Sequence, residues 1–270
     1  MTTVTKCSCC WSCEHARRPR SSFRRRRVHL ATLSPMLQER REGSVLWLTL
    51  DHPERLNAFK VTDYRAVRLA IAEAAGDPEV RVMVVTGTGR AFSAGADRSL
   101  LDATAPAEER SAAGEEFARF LATLADCEKP LIAAVNGLAV GIGVTMLLYF
   151  DFVLAAESAR FRLPFTALGL APEAGSSVLL TARGRWDEAM WAMLSSEWIE
   201  ARRARDMGLV WRLVRDDSLL EESARVAATL AALDPNSVAA TKRLMNAGRA
   251  EVARRAIDRE MAEMGRLMPR

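Results

Sequence analysis

Glu173 lies in Leu168-Gly-Leu-Ala-Pro-Glu-Ala-Gly-Ser-Ser177, a solitary carboxylate in an apolar stretch bounded by Gly and Pro. A carboxylate desolvated by neighbours such as Leu168, Leu170 and Ala171 gains basicity and suits general-base work. The alternative is an acid that caps the helix beginning near Ser176. Two glycine-bounded turns each follow a strand: Phe92-Ser-Ala-Gly-Ala-Asp97 and Asn136-Gly-Leu-Ala-Val-Gly-Ile-Gly143. Either could be an ordinary tight turn. Together they could aim two backbone N–H groups into one pocket as an oxyanion hole, which requires only backbone able to approach a ligand closely. The second turn also opens a helix, whose N-terminal dipole favours negative charge.

Composition removes several other chemistries. Of three histidines, His15 and His29 fall in the N-terminal segment and only His52 in the body, which argues against a His-dependent triad or a multi-His metal site. No metal is expected. Cys7, Cys9, Cys10 and Cys13 cluster at the start, leaving Cys127 alone in the body, where it reads as a small buried hydrophobe. This usage points to a reducing compartment without a disulfide framework. No phosphate-cradling Gly-x-x-x-x-Gly-Lys-Ser/Thr loop or Gly-x-Ser-x-Gly elbow occurs. Gly87-Thr-Gly89 is a weak dinucleotide signal, because position 92 is Phe and no helix opens there.

The net charge of +4 divides unevenly. Residues 1–35 hold eight basic residues against Glu14, whereas residues 36–270 hold 30 basic against 33 acidic. The basic character therefore belongs to the N-terminal segment, and the body offers no electrostatic case for nucleic acid. That segment admits a zinc-binding Cys cluster, an Arg-rich transit peptide, or a disordered extension before a start at Met36; the last is preferred. Without a long apolar run the chain is not expected to span a membrane, and a cytoplasmic location is expected, or an organellar one if residues 1–35 are a targeting segment.

The elements that must hold these residues alternate. Strands are predicted at Val45–Leu50, Val80–Thr86, Leu131–Val135, Phe152–Ala155 and Gly208–Val214, with helices at Tyr64–Ala75 and about Glu108–Ala125. Gly143–Tyr149 is apolar on all sides and should be a central helix. From Trp186 the pattern is mostly helical. This is an α/β core with a helical C-terminal layer, divided as an extension (1–35), a core (36–218) and a helical C-terminal region (219–270). Asp151 reads as a structural acid paired to backbone, Asp97 as a shaper of its turn, and Met190, Trp191, Met193 and Trp198 as core residues that could also wall a tunnel.

Pro53-Glu-Arg-Leu-Asn-Ala58, Ala91-Phe-Ser-Ala-Gly-Ala-Asp97, Lys129-Pro-Leu-Ile-Ala-Ala-Val-Asn-Gly-Leu-Ala-Val-Gly141, Asp151 with Ala155, and Ala239-Ala-Thr-Lys-Arg-Leu244 together resemble the crotonase, or enoyl-CoA hydratase/isomerase, superfamily. The resemblance implies a spiral of ββα units, a homotrimer or dimer of trimers built through the C-terminal helices, and a coenzyme A thioester as substrate, with no further cofactor. It also implies that the N–H groups of Ala96 and Ile142 hold the thioester oxygen. Arg55, Leu56 and Ala58 would line the adenine and pantetheine path, beside the Ala94, Gly95 and Asp97 turn. Hydratases of the family carry two glutamates at places that here read Thr145 and Phe165, which disfavours simple hydration. Gly141–Leu147, Leu163–Leu170 and Ala171–Ser177 instead resemble peroxisomal-type Δ3,Δ2-enoyl-CoA isomerases, whose single catalytic Glu corresponds to Glu173. Fold alone does not fix the reaction. Another reaction of the family such as thioester hydrolysis, and a non-catalytic acyl-CoA-binding role, remain the alternatives.

Overall fold

Short apolar runs that are covered on both faces make buried parallel strands, and three such runs form the centre of the protein. In a computed structural model that describes residues 34–101 and 105–267, they are β3 (Val82–Gly87), β5 (Leu131–Val135) and β7 (Phe152–Ala156). β1 (Leu37–Glu42) and β2 (Val45–Leu50) form an antiparallel hairpin, and β2 continues parallel into β3. β10 (Arg212–Val214) closes the far edge, giving a six-stranded order β1-β2-β3-β5-β7-β10. A second sheet, β4-β6-β8-β9, is built from β4 (Ala91–Ser93), β6 (Leu138–Val140), β8 (Arg160–Arg162) and β9 (Ile199–Glu200).

The two sheets are woven from one repeated unit. β3 and β4 lead into α2 (Ala107–Asp126), β5 and β6 into α3 (Ile142–Thr145), and β7 and β8 into the segment before α4 (Ser176–Arg183). Each unit thus gives one strand to each sheet before its helix, as the ββα spiral requires. α1 (Val61–Gly76) lies against α2. The later layer comprises α5 (Trp186–Ser195), α6 (Ala201–Asp206), α7 (Leu219–Ala231) and α8 (Pro235–Leu267). No helix among the described residues is long and apolar enough to cross a membrane.

Several expectations shift. The predicted central helix is α3 continued by a 3-10 segment, Met146–Tyr149, and every residue from Ile142 to Tyr149 is buried. Arg183 ends it by donating to the carbonyls of Leu147 (2.8 Å) and Phe150 (3.1 Å). The strand expected over 208–214 occupies only its last three residues. Readings of residues 1–33 fall outside the described residues. Ser34, however, is buried, donates to Asp63 and accepts from Met36 N (3.0 Å), so the packed body includes residues before Met36. Trp191 is exposed, Met190 and Trp198 are half-buried, and the guanidinium groups of Arg160 and Arg162 both lie over the Trp198 ring, so of the four tunnel candidates only Met193 is buried in the core. Cys127 is buried, and desolvation pushes its thiol pKa up.

α8 docks mainly through Ala253 and Ala256, together with two buried charged residues, Lys242 and Glu260. Lys242 Nζ donates to Asp151 Oδ2 and to Lys129 O, both at 2.7 Å. Asp151 Oδ2 also accepts from Leu131 N (2.7 Å), which makes it the structural acid expected. Lys242→Met is expected to cost about 2–3 kcal/mol, less than the loss of a wholly buried partner, because Asp151 retains some contact with water. The measurement is the urea unfolding midpoint, which should fall without a change of slope.

Candidate active site

Two backbone segments are zipped together at the mouth of β4. Ala94 N donates to Leu56 O, Phe59 N to Gly95 O and Asp97 N to Phe59 O, each at 2.8 Å. Asn57, with φ of 56°, anchors the first segment: its Nδ2 donates to Thr88 O (3.0 Å) and Ala91 O (2.8 Å), and its Oδ1 accepts from His52 N (2.8 Å). Arg55, Leu56, Ala58, Ala94, Gly95 and Asp97 therefore share one locus. The Arg55 guanidinium faces Asp97 (3.6 Å) and Asp63 (3.7 Å), while its Nε and Nη1 are buried without a hydrogen-bond partner. Asp97 Oδ1 accepts from the hydroxyl (2.7 Å) and amide (3.1 Å) of Ser99, bonds that lower its pKa; it shapes its turn as expected.

The two glycine turns are in contact. A Cβ placed on Gly95 would lie 2.7 Å from Val140 O and 3.8 Å from Gly141 Cα, and one on Gly143 would lie 2.4 Å from Ser93 O. Only glycine permits this approach, and the φ of 95° at Gly95 requires it independently. The parallel bridge between Phe59 and Ala96 uses Gly95 O and Asp97 N, so the N–H of Ala96 faces away from Phe59. Ile142 is the first residue of α3, where an N–H has no acceptor one turn back. Neither amide donates to a main-chain acceptor among the described residues.

One helical turn beyond Ile142, Thr145 Oγ1 donates to Glu173 Oε1 at 2.6 Å. Glu173 Oε2 is buried and has no hydrogen-bond partner among the described residues. As a whole residue Glu173 is only partly covered; it is the carboxyl end that is shut away from solvent. Burial raises its pKa to about 8, opposed by the Thr145 hydrogen bond and assisted by the nearby Glu260 carboxylate. Glu173 is not a helix cap: the residue before α4 is Gly175, and the carboxylate goes to Thr145. Of the predicted desolvating neighbours, Ala171 is buried and Leu170 half-buried, but Leu168 is 55% exposed and cannot serve. A crevice of about 270 Å³ runs between 125–128 and α8, lined by residues other than those around Glu173.

Three contributors escaped the sequence reading. Thr145 appeared there only as a missing glutamate, although its place three residues after Ile142 puts it close along the same helix face. Tyr149 donates to Ala174 O (2.8 Å), and Glu260 accepts from the amides of Gly175 (2.7 Å) and Ser177 (2.8 Å). No local signal could have tied Glu260 to a turn 85 residues away.

A two-sheet ββα spiral with paired glycine turns beside a buried acid defines an acyl-CoA enzyme of the crotonase type, and the chain belongs to the enoyl-CoA hydratase/isomerase family, whose profile matches residues 40–266. It is 36% identical to the 1,2-epoxyphenylacetyl-CoA isomerase of Escherichia coli K12, over 70% of this chain and 74% of that protein. It is 35% identical to enoyl-CoA delta isomerase 2 of Rattus norvegicus, over 76% of this chain and 52% of the larger relative. A 2,3-dehydroadipyl-CoA hydratase of E. coli K12 is also 35% identical, over 76% of this chain and 79% of that protein. Among solved structures, an enoyl-CoA hydratase/isomerase from Pseudoalteromonas atlantica T6c superposes with a TM-score of 0.80 at 36% identity, over 87% of this chain and 92% of that one.

Proposed function

We propose that the protein is a Δ3,Δ2-enoyl-CoA isomerase that moves the double bond by a proton shuttle through Glu173. The observation that carries this reading is the asymmetry of the Glu173 carboxyl. Thr145 fixes Oε1, which leaves Oε2 buried and free to carry a proton. The carboxylate takes a proton from C2 of a 3-enoyl thioester, the electron pair shifts to give a dienolate, and the same carboxyl returns the proton to C4. The N–H groups of Ala96 and Ile142 hold the negative thioester oxygen, a type of contact worth about 10²–10³-fold per donor. Arg55, Leu56, Ala58, Ala94, Gly95 and Asp97, contiguous beside that hole, would receive the coenzyme A portion.

Hydration would call for a second acid on the reacting carbons. Position 145 instead offers a hydroxyl already committed to Glu173, and Phe165 is buried. The other nearby carboxylate, Glu260, is occupied by two main-chain amides. The test is a panel of 3-enoyl, 2-enoyl and saturated thioesters followed for conjugated product and for free thiol. Conjugated product from the 3-enoyl thioesters alone is expected. Free coenzyme A or hydrated product as the main outcome would overturn the reading. The subunits are expected to associate as trimers or dimers of trimers, which sedimentation would show.

The pKa of about 8 fixes the pH dependence. A base must be ionised, and at pH 7 only about one free enzyme in ten has Glu173 ionised. kcat/KM for a 3-enoyl thioester should therefore rise almost tenfold per pH unit on the acid side and level off above about pH 8. A flat profile from about pH 6 to 9 would contradict Glu173 as the base.

A further inference from the structure

The turn that carries Glu173 is costly to form. Ala174 has φ of 61° and Gly175 φ of 68°, so two successive residues are left-handed and one of them has a Cβ, a strain on the order of 1 kcal/mol or more. Such a turn persists only when its surroundings hold it. Tyr149 holds one side through Ala174 O, and α8 holds the other. Ala253 O of α8 lies 3.2 Å from where a Cβ on Gly175 would sit, and Glu260, two turns further along α8, takes the amides of Gly175 and Ser177.

The chemistry of that clamp is unusual for a purely structural contact. Glu260 is buried, and among the described residues no Lys or Arg pairs with it. A neutral side chain could satisfy two amides without the cost of burying a charge. The carboxylate also adds negative charge beside the very acid that must ionise.

We propose that Glu260 is a positioning residue for the Glu173 turn, making proton transfer depend on the docking of α8. Through Gly175 and Ser177 it sets where the Glu173 carboxyl meets Thr145. The inference rests on Glu173 as the proton carrier. The groups that face Glu173 are Tyr64 of α1, Thr145, Tyr149 and Glu260, with Arg249 of α8 acting on Tyr149; of these only Glu260 carries a carboxylate.

Glu260→Gln, which retains size and one acceptor oxygen, and Glu260→Ala test this in the full-length protein. Two readouts apply: steady-state kinetics on a 3-enoyl thioester, and titration of the Glu173 carboxyl carbon by NMR, assigned by its disappearance in Glu173→Gln. Expected is a loss of kcat of about 10- to 100-fold from the displaced acid, with KM nearly unchanged. The Glu173 midpoint should move below about 8 as the like charge is removed. Wild-type kcat and midpoint in both variants would overturn the inference, as would a kcat loss that only tracks lowered thermal stability with the midpoint unmoved. Activity persisting in Glu173→Gln would instead sink the underlying assignment, whereas the NMR midpoint reports on Glu260 whatever the reaction.

Discussion

Glu173→Gln is expected to lower 3-enoyl thioester turnover by about 10²–10⁴-fold, the usual contribution of a positioned general base, while saturated acyl-CoA still binds. The amide accepts from Thr145 as the carboxylate does, so the turn should keep its place, but it cannot take a proton from C2. The loss should therefore fall on kcat, not on KM. The same variant gives a second signature in stability. The pKa of Glu173 is raised from about 4.5 unfolded to about 8 folded, so the folded state holds the extra proton between those values and stability falls as pH rises through that window. Above about pH 8 the wild type carries a buried charge that Gln lacks. A more stable variant is thus expected at pH 9, by about 1–2 kcal/mol after allowing for the unpaired amide nitrogen. At pH 5, where the native carboxyl is neutral, the gain should vanish. Thermal unfolding at both pH values reads this directly, and an equal gain at both would mean that ionisation is not the cause.

What could be read in the sequence divides along the range of the physics involved. Leu131–Val135 and Phe152–Ala155 declared themselves because a strand buried on both faces is a continuous apolar run. β1 did not, because Gln38-Glu-Arg-Arg-Glu42 is the charged edge strand that discourages pairing with another chain, and it has no apolar face to detect. The second sheet was missed for another reason: its strands are two or three residues long, too short for a period of two to appear. Glycine spacing revealed both tight turns, since at Gly95 and Gly143 a Cβ would strike the facing backbone. The partners of Glu173 were hidden, because Thr145 and Glu260 reach it through tertiary folding from 28 residues away and from the far end of the last helix. The burial was read correctly in sign but attributed partly to Leu168, which points outward; adjacency in sequence was a poor guide to solvent exclusion.

The two glycine turns permit the second large prediction. In Gly143→Ala the added methyl would stand 2.4 Å from Ser93 O and 3.1 Å from Ser93 Cβ. The obstacle is backbone, so no rotamer change relieves it, and either β4 or the start of α3 must move. Ser93 is no free bystander: its Oγ donates to Asn57 O (2.9 Å) and accepts from Gly95 N (3.1 Å). Pushing Ser93 aside therefore disturbs Gly95, and with it the amide of Ala96, while the methyl itself displaces the amide of Ile142. One added carbon should harm both donors, so kcat should fall by about 10²-fold or more, with a stability loss of about 1–3 kcal/mol from overpacking. Gly114→Ala is the matched control. It adds the same carbon inside α2, where nothing lies within 4 Å, and should stabilise by about 0.5–1 kcal/mol at wild-type kcat. If Gly143→Ala unfolds at a lower temperature yet turns over 3-enoyl thioester at the wild-type rate, the two turns pack the core and do not hold the substrate oxygen. A loss of kcat far larger than the loss of stability, absent from Gly114→Ala, is what an oxyanion hole built from main-chain amides requires.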